Sequence, residues 1–122
     1  MAYDLIVLGS GPAGLAAAVA ARGRNRSVLV LGNRWQDSPL AKAERVDNYP
    51  GLPGLTGVEL LEKFYRHAAE AGAEFVIGRA ISLLAWNGFS VTAGSQVYQG
   101  GALILAPGVI RLSKYPGEEE YL

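Results

Sequence analysis

Three glycines with the spacing Gly9-x-Gly11-x-x-Gly14 are the residues whose type and spacing point most directly to chemistry. Gly9 allows a sharp turn, Gly11 lacks a side chain that would hold an anion away from the backbone, and Gly14 lets a helix lie close to a strand. Pro12 suits the first helical turn, because the amide it lacks would have no intrahelical partner. Free amides and the helix dipole at such a turn favour an anion. The spacing therefore predicts a dinucleotide diphosphate site over residues 11–14.

The segments around these glycines supply the elements that such a site requires. Leu5 to Leu8 form an unbroken apolar run, typical of a strand covered on both faces of a parallel sheet. An alanine-rich helix from Ala13 to about Arg22 and a second apolar strand, residues 27–31, follow in order. We interpret this order as a dinucleotide-binding unit. A tight strand-to-helix turn without a ligand is the alternative.

The end of the second strand lacks the acidic side chain that binds the adenosine ribose in many dinucleotide folds, because Gly32 stands there. Either neighbouring backbone or Asn33 holds the ribose, or Arg34 meets a phosphate, or the site is weak. Arg34 as a solvated loop cation is the other interpretation of that residue.

Residues 36–55 are loop-like, and a loop of this length in a compact domain is usually functional. Its segment Asn48-Tyr49-Pro50-Gly51 is stiff and aromatic, which suits one side of a planar ligand. A turn that anchors Tyr49 in the core is the alternative. A short helical turn is expected at Ala41–Arg45.

A second helix follows this loop. Thr56 and Glu59 have the spacing of a capping box, and Gly72 marks the end of the helix. The apolar face predicted for this helix comprises Val58, Leu61, Phe64 or Tyr65, and Ala68. We expect the single histidine, His67, on its solvated face with Lys63 and Arg66, rather than as a base or a ligand.

The second half of the chain indicates two kinds of strand. Ala73–Ile77 is a third short strand, and an antiparallel three-stranded meander is predicted from residues 80–86, 89–93 and 96–99, with Asn87-Gly88 as a two-residue hairpin turn. Ala102–Leu105 is predicted as a fourth buried parallel strand. It ends in Ala106-Pro107-Gly108, which a doubly wound sheet would place beside the turn after the first strand.

Composition sets limits on the function. The 122 residues suit one domain, and 11 basic and 11 acidic side chains cancel with no basic stripe, which argues against nucleic acid as a partner. Without cysteine, the chain carries no disulfide, redox dithiol or cysteine-ligated metal. The first apolar run is too short to span a bilayer, so we expect a soluble, cytoplasmic protein without membrane contact. No catalytic triad can be assembled, and no catalytic or metal-ligating residue is predicted.

In this order, the segments resemble the flavin-binding part of the thioredoxin reductase group of pyridine nucleotide-disulfide oxidoreductases. The matching segments are residues 9–14 (Gly-Ser-Gly-Pro-Ala-Gly), 46–51 (Val-Asp-Asn-Tyr-Pro-Gly), 55–60 (Leu-Thr-Gly-Val-Glu-Leu), 102–108 (Ala-Leu-Ile-Leu-Ala-Pro-Gly) and 116–118 (Pro-Gly-Glu). They cover nearly the whole chain.

The resemblance implies an α/β fold of the Rossmann-like FAD/NAD(P)-binding kind, mainly parallel, with helices and a three-stranded β-meander. It implies FAD, with its diphosphate over Gly11 to Gly14, its flavin near Asn48 and its adenine against the backbone around Ala80. In such enzymes the flavin passes electrons from a nicotinamide cofactor to a disulfide. The candidate cofactor-binding residues are Gly9, Gly11, Pro12, Ala13, Gly14, Gly32, Asn33, Asn48, Ala80, Ala106 and Gly108.

The chain departs from this group in four respects. Asp37-Ser38-Pro39-Leu40 stands where a Gly-Gly-Gln segment usually wraps the FAD, and Pro107 replaces a threonine and removes a backbone donor. The NADPH-binding domain with its Cys-x-x-Cys pair and the returning Gly-Asp segment are missing. We therefore expect residues 1–122 to form a single FAD-binding domain that is incomplete relative to the family and not catalytically complete alone. NAD(P)H would be the donor only where a further domain or partner supplies its site.

Partners and competing functions follow from the same departures. A missing returning strand leaves an open sheet edge, so we expect a homodimer or a complementary chain. The first hypothesis is an FAD-dependent oxidoreductase domain of thioredoxin reductase type. The second is a non-catalytic nucleotide-binding or assembly module that has lost flavin, which Pro107 and Gly32 favour. NAD(P) in the same turn is a third, because the fingerprint does not choose between dinucleotides.

Overall fold

A six-stranded sheet and two α-helices make up the part of the chain that the computed structural model describes, residues 2–108. The elements are β1 (Ala2–Leu8), α1 (Pro12–Gly23), β2 (Val28–Gly32), α2 (Gly57–Glu70), β3 (Glu74–Ile77), β4 (Ala80–Ala85), β5 (Phe89–Ala93) and β6 (Gln96–Leu105). Two short 3-10 helices, Trp35–Asp37 and Pro39–Lys42, connect β2 to α2.

The sheet has the order β3-β2-β1-β6-β5-β4. β1 lies between β2 and β6 and is parallel to both, and β3 pairs in parallel with β2. β4, β5 and β6 are joined antiparallel in sequence order. The predicted combination of a mainly parallel sheet, helices and a three-stranded meander is therefore confirmed.

Two apolar clusters cover the two faces of β1 and β2. On one face, strand side chains pack against the helices; the buried members are Leu5, Val7, Leu15, Ala18, Val28, Val30, Leu61, Ala68 and Ala73. On the other face, the curled antiparallel strands supply the cover; the buried members are Ile6, Leu29, Leu31, Val91, Ala93 and Tyr98. Burial on both faces explains why the β1 and β2 sequences are apolar without alternation.

The third meander strand and the fourth parallel strand are one continuous strand, β6, and not the two separate strands predicted. Its pairing with β1 keeps one register from Ala2 opposite Gln99 to Leu8 opposite Leu105. The glycines at 100 and 101 lie inside the strand because space is short there: a Cβ on Gly100 would lie 2.8 Å from Cγ1 of Ile6. A glycine pair that resembles a break in the sequence is therefore a close contact within the strand.

The prediction that residues 102–105 form a buried strand is wrong for the described part of the chain. Leu105 is 64% exposed and Ile104 is 38% exposed. The reason is the pairing: β5 reaches β6 only over residues 96–100, so the second half of β6 has β1 alone as a paired neighbour among residues 2–108.

The second helix begins as predicted. The hydroxyl of Thr56 accepts a hydrogen bond from the amide of Glu59, and the Glu59 carboxylate accepts one from the amide of Thr56. The predicted apolar face is wrong at one position, since Val58 is exposed and Leu60 is buried instead. The buried stripe passes through Leu60 and Leu61, which places Val58 at its margin.

Two local predictions also require correction. The helical turn expected at Ala41–Arg45 lies earlier, at Pro39–Lys42, because Pro39 fixes a helical φ at the first position. The loop between β4 and β5 contains three residues rather than two, since Ala85 pairs with Phe89. Asn87 and Gly88 both have positive φ, at 50° and 99°, as turn residues at a hairpin do.

Within residues 2–108, no helix combines the length and apolarity needed to cross a bilayer, and no cluster of three or more metal-binding side chains occurs. The predictions for residues 109–122, including the Pro116-Gly117-Glu118 match, lie outside the described residues.

Candidate functional site

Gly9 follows β1 and packs against Ala106, which follows β6. Its φ is 123°, a conformation that side chains disfavour, and its amide donates to the carbonyl of Leu31 at 2.9 Å. A Cβ at Gly9 would lie 1.9 Å from the main-chain oxygen of Ala106. The Ala106 amide in turn donates to the Leu8 carbonyl at 2.8 Å. The predicted neighbourhood of the glycine turn and Ala106 is therefore present.

Gly14 brings α1 against the same turn. A Cβ at Gly14 would lie 1.9 Å from the carbonyl oxygen of Gly9 and 3.3 Å from Cγ1 of Val7. No other residue type could occupy this position without moving the helix away from β1. Gly14 thus serves the packing of the turn.

Gly32, at the end of β2, is required by the turn as well. A Cβ there would lie 3.1 Å from the amide nitrogen of Ser10 and 3.2 Å from its hydroxyl. The Ser10 hydroxyl donates to the carbonyl of Asn33, which ties the glycine turn to the loop after β2. An acidic side chain at position 32 would crowd Ser10, which gives a structural reason for glycine at this position.

Gly11 differs from these three glycines. Its φ of −81° is open to any residue, and no main-chain atom comes close to it. The only atom within 4 Å of a Cβ at Gly11, apart from its chain neighbours, is the hydroxyl oxygen of Ser38 at 3.3 Å, among residues 2–108. Neither backbone conformation nor a main-chain contact requires glycine here, and the space in front of Gly11 is bordered by a side-chain hydroxyl rather than by a carbonyl.

The start of α1 faces this space. Gly11 is the N-cap, and its carbonyl accepts the amide of Leu15 at 3.0 Å. Helix geometry leaves the amides of Ala13 and Gly14 without an intrahelical acceptor, and Pro12 has no amide hydrogen to donate. The first turn of α1 holds no acidic side chain. Two amide donors and the positive end of the helix dipole therefore meet at Gly11, which suits a diphosphate.

Arg34 is paired within its own loop. Its Nε and Nη2 atoms donate to the two carboxylate oxygens of Asp37, each at 3.1 Å. Both side chains are exposed, and the pairing with Asp37 raises the pKa of Arg34. Arg34 thus has an acidic partner close by rather than an open guanidinium. Asn33 is exposed at the end of β2, where a ribose would be expected.

A groove of about 640 Å³ runs along α1, from Pro12 and Ala13 to Ala20. Tyr49, Leu52 and Phe64 line its other wall, with Lys63 and His67 among the polar residues. The centroid of the Tyr49 ring lies 5.0 Å from that of the Phe64 ring, and Tyr49 is 43% exposed. Tyr49 therefore packs on α2 but is not buried in the core. Asn48 is exposed beside Tyr49. The loop that carries it is closed by Val46 and Leu55, whose main chains pair at 2.7 Å.

The remaining candidate residues lie farther along the carboxyl edge of the sheet. The amide of Gly78 donates to the carbonyl of Gly32 at 3.0 Å, which sets the end of β3 beside the end of β2. Ala80, two residues on, is half-buried at the start of β4. Gly108 has a φ of 72° and no neighbour within 4 Å of a Cβ among residues 2–108.

The structure therefore brings most of the candidates into one arrangement and leaves three at its margins. Around the glycine turn lie Gly9, Gly11, Pro12, Ala13, Gly14, Gly32, Asn33 and Ala106; at the margins lie Asn48, Ala80 and Gly108. The resemblance placed residues 37–40 where the family wraps its FAD, but sequence reasoning did not include Ser38 among the candidates, because nothing local indicates that its hydroxyl lies beside Gly11. The one signal is Gly57, which allows the close contact that holds this loop.

Besides Arg34, two groups within residues 2–108 have shifted pKa values, and both lie away from the glycine turn. A hydrogen bond to Glu74, with burial and the negative charge of that residue, raises the pKa of Tyr3 to about 12. The backbone hydrogen bond from Thr56 lowers the pKa of Glu59. Both groups serve local structure, and neither borders the glycine turn. The arrangement is equipped to bind an anion by main-chain donors rather than to transfer protons.

Comparison with known proteins places this geometry in context. Residues 7–70 match the family described as NAD(P)-binding Rossmann-like domain. The thioredoxin reductase of Bacillus subtilis is 37% identical over 120 residues, which cover 97% of this chain and 38% of that protein. A thioredoxin reductase structure from Gloeobacter violaceus superposes with a TM-score of 0.86 at 31% identity, over 98% of this chain and 41% of the other.

A ferredoxin-flavin thioredoxin reductase from Clostridium acetobutylicum superposes with a TM-score of 0.83 at 34% identity, over 99% of this chain and 43% of the other. The chain thus spans about 38% of the length of the curated thioredoxin reductases that it matches. The similarity to thioredoxin reductases agrees with the resemblance seen in the sequence.

Proposed function

We propose that this chain, which belongs to the NAD(P)-binding Rossmann-like domain family, is the FAD-binding part of an oxidoreductase of the thioredoxin reductase type. The family membership supports dinucleotide binding. The similarity to thioredoxin reductases supports FAD as the dinucleotide. Because the chain covers only part of those relatives, disulfide reduction is proposed for the larger assembly and not for residues 1–122 alone.

One observation carries the proposal: no main-chain atom of residues 2–108 requires glycine at position 11, whereas main-chain atoms require it at the neighbouring glycines. Gly9 and Gly14 are each 1.9 Å from a carbonyl oxygen once a Cβ is added, and Gly32 is crowded by Ser10. Among residues 2–108, a Cβ at Gly11 would meet only the hydroxyl oxygen of Ser38, at 3.3 Å. A ligand whose phosphate lies against the backbone supplies the missing reason, since a side chain at Gly11 would hold it away from the amides of Ala13 and Gly14.

The residues around the turn fit an FAD diphosphate. The amides at the start of α1 would hold its charge, and exposed Asn33 would meet the ribose at the end of β2. The Gly32–Gly78 contact and Ala80 would border the adenine, and the loop of Asn48 and Tyr49 would border the flavin. When bound, FAD supplies the two-electron chemistry, and these residues position it.

We also propose that another polypeptide, a second copy or a complementary chain, covers the β4 edge of the sheet, which is one of its two edges. β4 is an edge strand with no charged side chain; its residues Ile81 and Leu84 are 65% and 61% exposed, and Trp86, which follows it, is 77% exposed. Natural edge strands are usually shortened, charged or covered, and β4 is none of these among residues 2–108. A nicotinamide donor would require a site on that further polypeptide. We still predict that the protein is located in the cytoplasm.

A nucleotide-binding module without flavin is the second candidate. Pro107, beside the glycine turn, supplies neither an amide nor a hydroxyl to a cofactor. The name of the matched family also keeps NAD(P) in the same turn as a possible ligand.

Visible absorption of the purified chain distinguishes these functions. A bound flavin gives a band near about 450 nm that survives gel filtration. A yellow protein, or a colourless one that takes up FAD with a stoichiometry near one, supports the proposal. A folded, colourless protein that binds neither FAD nor NAD(P) contradicts it and favours the assembly module. If the chain binds NAD(P) but not FAD, NAD(P) is the dinucleotide and the FAD assignment is wrong.

A further inference from the structure

The loop after β2 brings one side chain to the proposed diphosphate site. Ser38 lies between the two 3-10 helices, and its hydroxyl oxygen is 3.3 Å from the position that a Cβ on Gly11 would take. Ser38 is half-buried, and its hydroxyl does not cap the 3-10 helix that begins at Pro39. The hydroxyl is thus directed to the space that glycine leaves open.

The position of Ser38 is fixed by its neighbours on both sides. The ring of Trp35 stacks on Tyr65 of α2 at 5.8 Å, and the Ser38 amide donates to the Trp35 carbonyl at 3.1 Å. On the other side, Leu40 is held so close to α2 that a Cβ on Gly57 would lie 1.7 Å from the Leu40 oxygen. Packing against α2 therefore presents Ser38 to Gly11 without help from a ligand.

The charge around Ser38 also suits an anion. Asp37 precedes it, and a bare carboxylate there would repel a phosphate. Both carboxylate oxygens of Asp37 accept hydrogen bonds from Arg34, which neutralises this charge. At the same time, Pro12 leaves the start of α1 one amide donor short of an ordinary helix. A hydroxyl donor from the facing loop makes up for that missing amide.

We propose that Ser38 donates a hydrogen bond to a phosphate oxygen of the dinucleotide, so that the diphosphate is held between the start of α1 and this loop. The inference rests on the proposed function and adds to it a side-chain ligand for the diphosphate. It also explains how a chain with Asp37-Ser38-Pro39-Leu40 at this position can retain the cofactor.

Two diphosphate ligands test this assignment, FAD and ADP-ribose, titrated into the unmodified chain and into Ser38→Ala. A hydrogen bond to a charged group predicts that affinity for both ligands falls by the same factor, roughly 10- to 100-fold. Ser95→Ala, in the turn between β5 and β6, is the matched control and should leave both affinities unchanged. The melting temperature of Ser38→Ala should equal that of the control.

Each other outcome has a defined meaning. Unchanged affinity of Ser38→Ala for both ligands overturns the inference while leaving the proposed function intact. A loss confined to FAD places Ser38 at the flavin and overturns the inference, as does a loss accompanied by a lower melting temperature than that of the control. If the unmodified chain binds neither ligand, the proposed function fails, and the assignment of Ser38 fails with it.

Discussion

The missing side chain of Gly9 lies against the main-chain carbonyl of Ala106, where an added Cβ would be 1.9 Å from the oxygen. This contact ties the turn after β1 to the end of β6, two segments almost a hundred residues apart in sequence. The same turn is met by Gly14 from α1 and by Gly32 from β2. Four elements therefore converge on main-chain atoms at this turn, and their close packing is present without a ligand.

We expect Gly9→Ala to destabilise the fold. Its φ of 123° and the contact with Ala106 together predict a loss of roughly 3 kcal/mol or more in the free energy of unfolding. Gly23→Ala is the matched control, since a Cβ at Gly23 meets nothing within 4 Å. That variant should be unchanged or more stable by about 0.5–1 kcal/mol. Chemical denaturation measures both, and equal stability of the two variants would refute the role given to Gly9.

The capping box of α2 provides a pH-dependent test. The hydrogen bonds with Thr56 lower the pKa of Glu59 in the folded state, so the charged carboxylate stabilises α2 above the ordinary glutamate pKa. This contribution is lost as the pH falls through the lowered pKa. The melting temperature of Glu59→Gln should therefore lie below that of the unmodified chain at pH 7 and approach it at a pH well below the ordinary glutamate pKa. A difference that is the same at both pH values would contradict this assignment.

The other half of the capping box is tested separately. Thr56→Ala removes the acceptor for the Glu59 amide and should cost about 1 kcal/mol at neutral pH. Thr92→Ala, on β5, is a control in which no cap is lost. Thermal unfolding that ranks the two variants equally would show that the cap is not the source of stability.

The pairing of Arg34 with Asp37 predicts a change in ligand preference. Asp37→Asn should release the guanidinium and leave stability within about 0.5 kcal/mol, because the pair is exposed. The released side chain should raise the affinity for 2′-phospho-ADP-ribose relative to ADP-ribose by roughly 3- to 10-fold. Glu62→Gln releases Arg66 on α2 and is the control. Calorimetric titration measures the ratio of the two affinities. If Asp37→Asn leaves this ratio unaltered, Arg34 does not contact the ribose end of the dinucleotide.

The exposed strand β4 predicts self-association or capture of a partner. If a second copy covers this edge, Leu84→Lys should lower the mass of the chain in light scattering from that of a dimer to that of a monomer, because lysine protects an edge strand. Val58→Lys, at an exposed position on α2, should leave the mass unchanged. An unmodified chain that is monomeric at millimolar concentration would remove the homodimer from the proposal and leave the complementary chain.

The order of elements could be predicted because its signals are local. The apolar runs of β1 and β2, the spacing of Gly9, Gly11 and Gly14, and the Thr56 capping box each follow from a few adjacent residues. The parallel pairing of β6 with β1 also followed from an apolar run. What the sequence did not reveal was that β6 begins before its glycine pair, since the tight contact of Gly100 with Ile6 is made across the sheet.

The parts of the candidate site that escaped prediction depend on contacts between distant segments. Gly32 is glycine because Ser10 lies against it, and that is visible only once β1 and β2 are paired. Ser38 reaches Gly11 because Leu40 fits against Gly57, a contact between a loop and a helix. Arg34 had two interpretations in the sequence, and its bond to Asp37 supplies a third, in which the loop neutralises its own charge.

FAD titration of the chain and of its Gly11→Val variant tests the central claim most directly. Gly11 has a φ of −81°, and among residues 2–108 a Cβ there would meet the Ser38 hydroxyl oxygen at 3.3 Å but no main-chain atom, so the variant should stay folded and keep the circular dichroism spectrum of the unmodified chain. The proposal predicts that its affinity for FAD falls by at least about tenfold, because the side chain holds the diphosphate away from the α1 amides. A folded Gly11→Val variant that binds FAD as tightly as the unmodified chain would contradict the account.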